Sequence, residues 1–190
     1  MARRALASDQ KKAIEEKRTL VFVDQSGFYL LPGMVRTYAP VGQTPLIRAP
    51  LSRDHLSAMG GITPEGKLYL MVQEKAYRGP DVVRFLRHLR RHIAGKLLVL
   101  WDGAPIHRSK AVQDYLSRGA ARWIHLEQFP SYGPELNPAE GIWNYLKQVE
   151  LKNQCCQNIS HLYYELCKAK ERLRHKTSVI LGCIKQPSLY

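Results

Sequence analysis

The segment KLLVLWD, Lys96–Asp102, is an unbroken apolar run closed by a carboxylate, and TLVFVD, Thr19–Asp24, has the same form. Runs this short and this apolar suit strands of an internal sheet covered on both faces, where the alternation of a half-exposed strand is lost. Between them, His55–Thr63 and Lys67–Val72 flank Pro64-Glu65-Gly66, which reads as a hairpin turn. From Pro80 the period becomes helical: Val82, Leu86, Leu89 and Ile93 share a face, Pro80 and Asp81 stand at the start, and Gly95 follows the end. A helix is predicted over Ser109–Arg118, a strand over Trp123–Gln128 and a helix from about Pro138. Helical, basic sequence then runs from 154 to about His175, with a short apolar end at Val179–Ile184. Between Gly27 and His55, Pro32-Gly33, Pro40, Gly42 and Pro45 break up short apolar pieces, and a turn-rich β excursion is expected there. Strands first, then strands alternating with helices, predict an α/β fold with a sheet of mixed direction.

The 190 residues are 45% hydrophobic, enough for one domain with a real core and too apolar for a disordered chain. Wholly apolar runs reach about five residues, as in Leu97–Trp101, far below the ~20 of a membrane span. The first twenty residues alternate charges without an apolar signal core, so the expected location is cytoplasmic. Lys and Arg number 29 against 16 Asp and Glu, a net charge of +13. Such an excess points to a polyanionic partner, commonly nucleic acid, or to a merely cationic surface. The four cysteines include the adjacent pair Cys155–Cys156 but no CxxC, and with His161 and His175 they lack the spacing of structural zinc. Buried or partly buried free thiols are the reading that remains.

Asp24 and Asp102 end the two most apolar runs. On parallel neighbouring strands their carboxylates would meet at one edge of the sheet, where functional groups collect. Two close carboxylates repel unless a proton or cation lies between them, and a hard divalent ion is the natural occupant. Either aspartate alone would equally begin a turn or cap a helix. Further along the chain, Glu140 follows Asn137-Pro138, a good N-cap and first helical residue. It stands where a capping-box glutamate would, and where the helix dipole would keep a metal-binding carboxylate ionised.

Three blocks, TLVFVDQSGF (Thr19–Phe28), WDGAPIHRS (Trp101–Ser109) and PELNPAEGIWNYLK (Pro134–Lys147), together resemble the motifs of DDE transposases, most closely bacterial insertion-sequence enzymes related to the mariner group. The resemblance implies an RNase H-like fold, with a central mixed five-stranded sheet flanked by helices and a helical C-terminal extension. It implies a catalytic and metal-binding triad of Asp24, Asp102 and Glu140, with Glu135 a loop residue outside it. It further implies two ions, Mg²⁺ or substitute Mn²⁺, bridged by Asp24, and cut-and-paste cleavage and strand transfer of double-stranded DNA. By the same resemblance His107 touches the scissile phosphate or supports the metal site, and the active form is a homodimer working in the bacterial nucleoid. Many relatives carry Glu where this chain has Gln25 and Asn where it has Gly103. Relatives also place a helix-turn-helix module before the catalytic domain, whereas only the stretch 1–18 precedes the first strand here. A companion module or chain is therefore expected. Residues 1–18 read as a charged lead-in, 19–153 as the catalytic domain and 154–190 as a basic helical extension. Arg48, Arg53, Lys147 and Lys152 are candidates for DNA-backbone contact. Arg84, Arg87 and Arg91 form a stripe that serves either DNA or solvent. Trp143, with Ile142, Leu146 and Val149, is expected to bury the Glu140 helix against the sheet. The alternatives are another RNase H-like nuclease and a non-catalytic DNA-binding remnant of an inactive element.

Overall fold

The computed structural model describes residues 11–36, 38–43, 46, 52–129 and 137–185. Five strands form one sheet: β1 (Arg18–Tyr29), β2 (His55–Ile62), β3 (Leu68–Gln73), β4 (Lys96–Trp101) and β5 (Ile124–Gln128). Their spatial order is β3-β2-β1-β4-β5. The β1–β2 and β2–β3 ladders are antiparallel, and β1–β4 and β4–β5 are parallel, so the sheet is mixed as expected. The β2–β3 hairpin turns at Gly66, whose φ of +80° lies in the left-handed region that glycine occupies without strain. Helix α1 (Gly79–His92) begins with the Asp81 carboxylate accepting from the Arg78 N–H at 3.0 Å. Then come α2 (Lys110–Ser117), α3 (Pro138–Tyr145), α4 (Ile159–Arg174) and α5 (Thr177–Lys185). Among the described residues no helix is long and apolar enough to cross a membrane.

Strand alternation sorts the core into two faces. Val21, Val23, Met59, Leu97 and Val99 face α1, meeting Val82, Phe85, Leu86 and Leu89. Phe28, Ala58, Ile62 and Leu70 face the other way, against Ile142 and Trp143 of α3, Leu162, Leu166 and Leu173 of α4, and Ile180 of α5. The expected C-terminal helical segment is thus helical and shares its core with α3. Beside this cluster, Leu20, Phe22, Leu98, Leu100 and Phe129 pack with Ala13 from a helical turn at residues 11–15. The charged lead-in therefore contributes a core residue.

Three expectations need correction. Asp24 does not end its strand: β1 continues to Tyr29, because β2 pairs with it from Phe22↔Ile62 to Tyr29↔His55 after β4 has stopped. The excursion after β1 is not β-rich, since its described residues between 30 and 54 include no strand, and its apolar Met34, Tyr38 and Val41 are exposed. Val149 is also exposed. Helix α3 runs on into a π turn, Leu146–Glu150, where the Leu151 N–H donates to the Leu146 carbonyl at 2.9 Å. The wider turn rotates Val149 off the buried face, and Leu151 is buried instead.

Glu150 locks that turn. Its nearly buried carboxylate accepts from Arg172 Nε at 2.6 Å and Lys176 Nζ at 2.8 Å, tying α3 to α4 and to the start of α5. Burial pushes the carboxyl pKa up, but the two cations outweigh it and hold it below the ordinary range. A depressed pKa contributes stability above the unfolded value, and that contribution is lost as pH falls through the folded one. Glu150→Gln should cost about 1–2 kcal/mol at pH 7, a figure discounted because both cations stay nearly half exposed. Urea melts should show the gap closing below about pH 4; an equal gap at both pH values would exclude the ion pairs as its source.

Candidate active site

The β1–β4 ladder pairs Phe22 with Leu100. Two positions on from that pair, along each chain, come Asp24 and Asp102. The two aspartates therefore stand level on adjacent parallel strands, Asp102 being the first residue beyond β4. Both have the parity of Phe22 and Leu100, which places them on the sheet face that carries α3.

Asp24 is buried in mid-strand, opposite Gly60 of β2. Its Oδ2 accepts from Trp143 Nε1 at 2.8 Å. Desolvation is the main cause that pushes its pKa up to about 6, against the hydrogen bonds from Trp143 and the Gln25 backbone N–H. The negative charges of Glu140 and Asp102 raise it further, so all three carboxylates act on one locality. The Trp143 ring fits there because β2 has glycine: a Cβ at Gly60 would lie 2.7 Å from Trp143 Cη2. A glycine pair in mid-strand was the available signal for this close approach.

Asp102 is more than half exposed, and its Oδ1 accepts from the Ala104 N–H at 3.0 Å and from His107 Nε2 at 2.9 Å. It thus begins a turn as well as joining the site. His107 is almost wholly buried and stacks on Trp101 with centroids 4.1 Å apart. Burial lowers its pKa, against the pull of Asp102, which favours the neutral ring. With Nε2 carrying the proton toward Asp102, Nδ1 is left bare, buried and without a hydrogen bond. His107 is thereby a positioning residue for Asp102.

Glu140 lies exposed in the first turn of α3. Asn137 does cap that helix, its Oδ1 accepting from the Ala139 N–H at 3.1 Å. The Glu140 carboxylate does not complete a capping box and has no hydrogen bond or ion pair among the described residues. Two turns along the same helix face, Lys147 Nζ donates to Ser26 Oγ at 2.8 Å and lies 5.3 Å from the Phe28 ring centroid. Burial lowers its pKa, while Glu140 and Asp24 draw it up. Lys147 thus stands beside the carboxylates.

The other basic candidates do not gather here. Arg48 and Glu135 lie outside the described residues. Arg53 and Lys152 are exposed, before β2 and after the π turn. Arg84 is paired with Asp81 at 3.0 Å, and with Arg87 and Arg91 it belongs to α1, across the sheet. Gly103 has a local reason, since a Cβ there would meet Gln128 Nε2 at 2.5 Å. Cys156 and Cys183 are buried and Cys155 and Cys167 half-buried, all as free thiols.

As a donor set the three carboxylates suit a hard divalent ion completed by water and phosphate oxygens. Among the described residues, however, no three His, Cys, Asp or Glu side chains stand close enough together to hold a metal ion as they are placed here.

Residues 19–163 match the family model of the DDE superfamily endonucleases. The chain belongs to this family. Among solved structures it is similar to the Mos1 transposase paired-end complex with left transposon end, at 18% identity and a TM-score of 0.62, covering 100% of this chain and 60% of that one. The Mos1 mariner paired-end complex with Mn gives 18%, 0.60, 100% and 63% in turn. The catalytic domain of Mos1 mariner transposase gives 15%, 0.57, 100% and 91%. At such identities the likeness is one of fold, and it is the RNase H-like fold expected from the sequence. The chain spans about 60% of the length of the transposases in the paired-end complexes. No curated protein matches it significantly.

For this DDE-family site, the burial of Asp24 has a measurable cost. Its folded pKa, about 6, lies above the unfolded value of about 3.9, so between them the folded state holds a proton that the unfolded state has released. Stability from this group falls as pH rises through that window and levels off above it. Without divalent ions, Asp24→Asn should be more stable than the wild type by about 2 kcal/mol at pH 7.5, with the advantage fading toward pH 4. Thermal melts at both pH values check this; no advantage at pH 7.5 would overturn the burial account.

Proposed function

We propose that this protein is the catalytic part of a DNA transposase, cleaving phosphodiester bonds and joining the freed 3′ ends to new DNA through Asp24, Asp102 and Glu140. The observation that carries the proposal is the shared register of β1 and β4, which sets two aspartates level on parallel strands, with Glu140 acting on the same locality. The similar Mos1 structures contain paired transposon ends and, in separate structures, Mn or Mg, which supports DNA ends, a two-ended assembly and divalent ions here. DNA-end recognition is assigned to a helix-turn-helix module or a companion chain, and the working place to the bacterial nucleoid.

Each carboxylate has its own task. Asp24 is fixed by Trp143 and is the carboxylate on which the charges of the other two act. Asp102 is held through Oδ1 by His107 and the Ala104 N–H, and Oδ2 takes neither of these bonds. Glu140, unattached, can adjust as DNA enters. When bound by these oxygens, Mg²⁺ or Mn²⁺ would activate the attacking water or 3′-hydroxyl and offset charge on the leaving oxygen. Lys147 adds a cation for the phosphate backbone, and no covalent bond between enzyme and DNA is needed.

Nicking of supercoiled plasmid with Mg²⁺ or Mn²⁺ tests the proposal. Asp102→Asn should lose about 100-fold or more, because several kcal/mol of transition-state stabilisation pass through the metal site. His107→Ala should lose about 10- to 100-fold and need more metal for half-maximal rate. Equal nicking by wild type and Asp102→Asn would remove Asp102 from the mechanism. DNA binding without cleavage, even with a recognition module added, would favour the inactive-element reading.

A further inference from the structure

The arginines that matter on α1 are not the stripe that helical spacing suggests. Arg84 is engaged by Asp81 and Gln73. Arg87 and Arg90 instead face an open groove of about 750 Å³ between α1, α2 and the turn before β5, where Arg118 and Arg122 join them. Aromatic rings hold three of the four: Arg87 lies 5.3 Å from the Tyr115 centroid, and Arg90 and Arg122 lie 4.6 and 5.4 Å from that of Trp123. Stacking fixes the guanidinium plane while leaving its edge N–H groups outward, the geometry that suits bidentate contact with phosphate. Arg18, Arg172 and Arg174 have carboxylate partners, as does Arg84, but among the described residues none of the four groove arginines forms an ion pair. Asp114 is the one acidic residue among those described in the lining.

We infer that this groove is a second DNA-docking site, binding the phosphate backbone of duplex DNA independently of the catalytic carboxylates. Position separates the two. The groove lies on the α1 face of the sheet, and its Arg118–Trp123 end is at the start of β4 and β5, where the Leu97 N–H donates to the Trp123 carbonyl. The carboxylates lie on the α3 face, at the far end of β4. The groove and the carboxylates thus lie on opposite faces of the sheet, and the groove takes a separate segment of duplex. Trp123 is occupied by the protein's own arginines rather than offered to a base, and so contact with the backbone, without sequence readout, is the expected mode.

Fluorescence anisotropy of a random-sequence duplex, in EDTA so that metal-mediated contact is absent, tests this with the whole chain. Arg118→Glu/Arg122→Glu should weaken binding about tenfold and lower the slope of log K against log salt by about 2, close to 0.9 per lost contact. The same loss of slope should appear when Arg118→Glu/Arg122→Glu is made in an Asp102→Asn background, so failure of the catalytic reading and failure of this site are separable. Because Arg90 packs on Trp123, Arg90→Lys/Arg122→Lys serves as the mild variant: charge is kept, planar stacking is lost, and an intermediate affinity at wild-type melting temperature is expected. Unchanged affinity and slope in the glutamate variant would overturn the inference. So would unchanged DNA binding with an altered oligomeric mass by sedimentation, which would assign the groove to a second copy of the chain.

Discussion

The hydrogen bond from Trp143 Nε1 to Asp24 Oδ2 is the contact on which the site depends. A carboxylate in the middle of a buried strand is costly unless something answers its charge. Trp143 answers it from α3 while filling the core over Gly60 and meeting Phe28 edge-on, with centroids 6.1 Å apart. One side chain therefore both docks the helix and orients the acid. Because Trp143 lies one turn after Glu140, the same contact fixes where the third carboxylate begins. Asn137 and Pro138 start the helix, Trp143 anchors its middle, and the Glu150 ion pairs hold its end.

His107 does for Asp102 what Trp143 does for Asp24, by a different balance. Asp24 is buried, and its donor offsets desolvation. Asp102 is exposed, and its donor is itself buried against Trp101. In both cases an aromatic N–H rather than a cation does the holding. The aspartate is oriented in each case by a hydrogen bond to one of its oxygens.

Much of this was legible because it is local or periodic. The apolar runs named β1 and β4, and the aspartate closing each run anticipated their register. Pro80, Asp81 and Gly95 bounded α1 closely, and Asn137-Pro138 gave the start of α3. What stayed hidden depends on contacts far apart in sequence. Nothing near Asp24 reveals that β2 extends its strand to Tyr29, or that the distant Trp143 donates to it. The π turn that exposes Val149 has no local signature, since residues 138–151 read as one regular helix. The arginine groove was missed because spacing on α1 alone cannot show that residues 118–122 complete it.

The distribution of charge completes the argument. The chain carries a net +13, yet among the described residues no lysine or arginine forms an ion pair with Asp24, Asp102 or Glu140. Lys147 is drawn to two of them but gives its hydrogen bond to Ser26. A sequence selected for stability alone would have placed one of its many cations among three mutually repelling carboxylates. Burial, with the charges of Glu140 and Asp102 added, holds the Asp24 pKa up at about 6, and no lysine or arginine among the described residues is placed to bring it down.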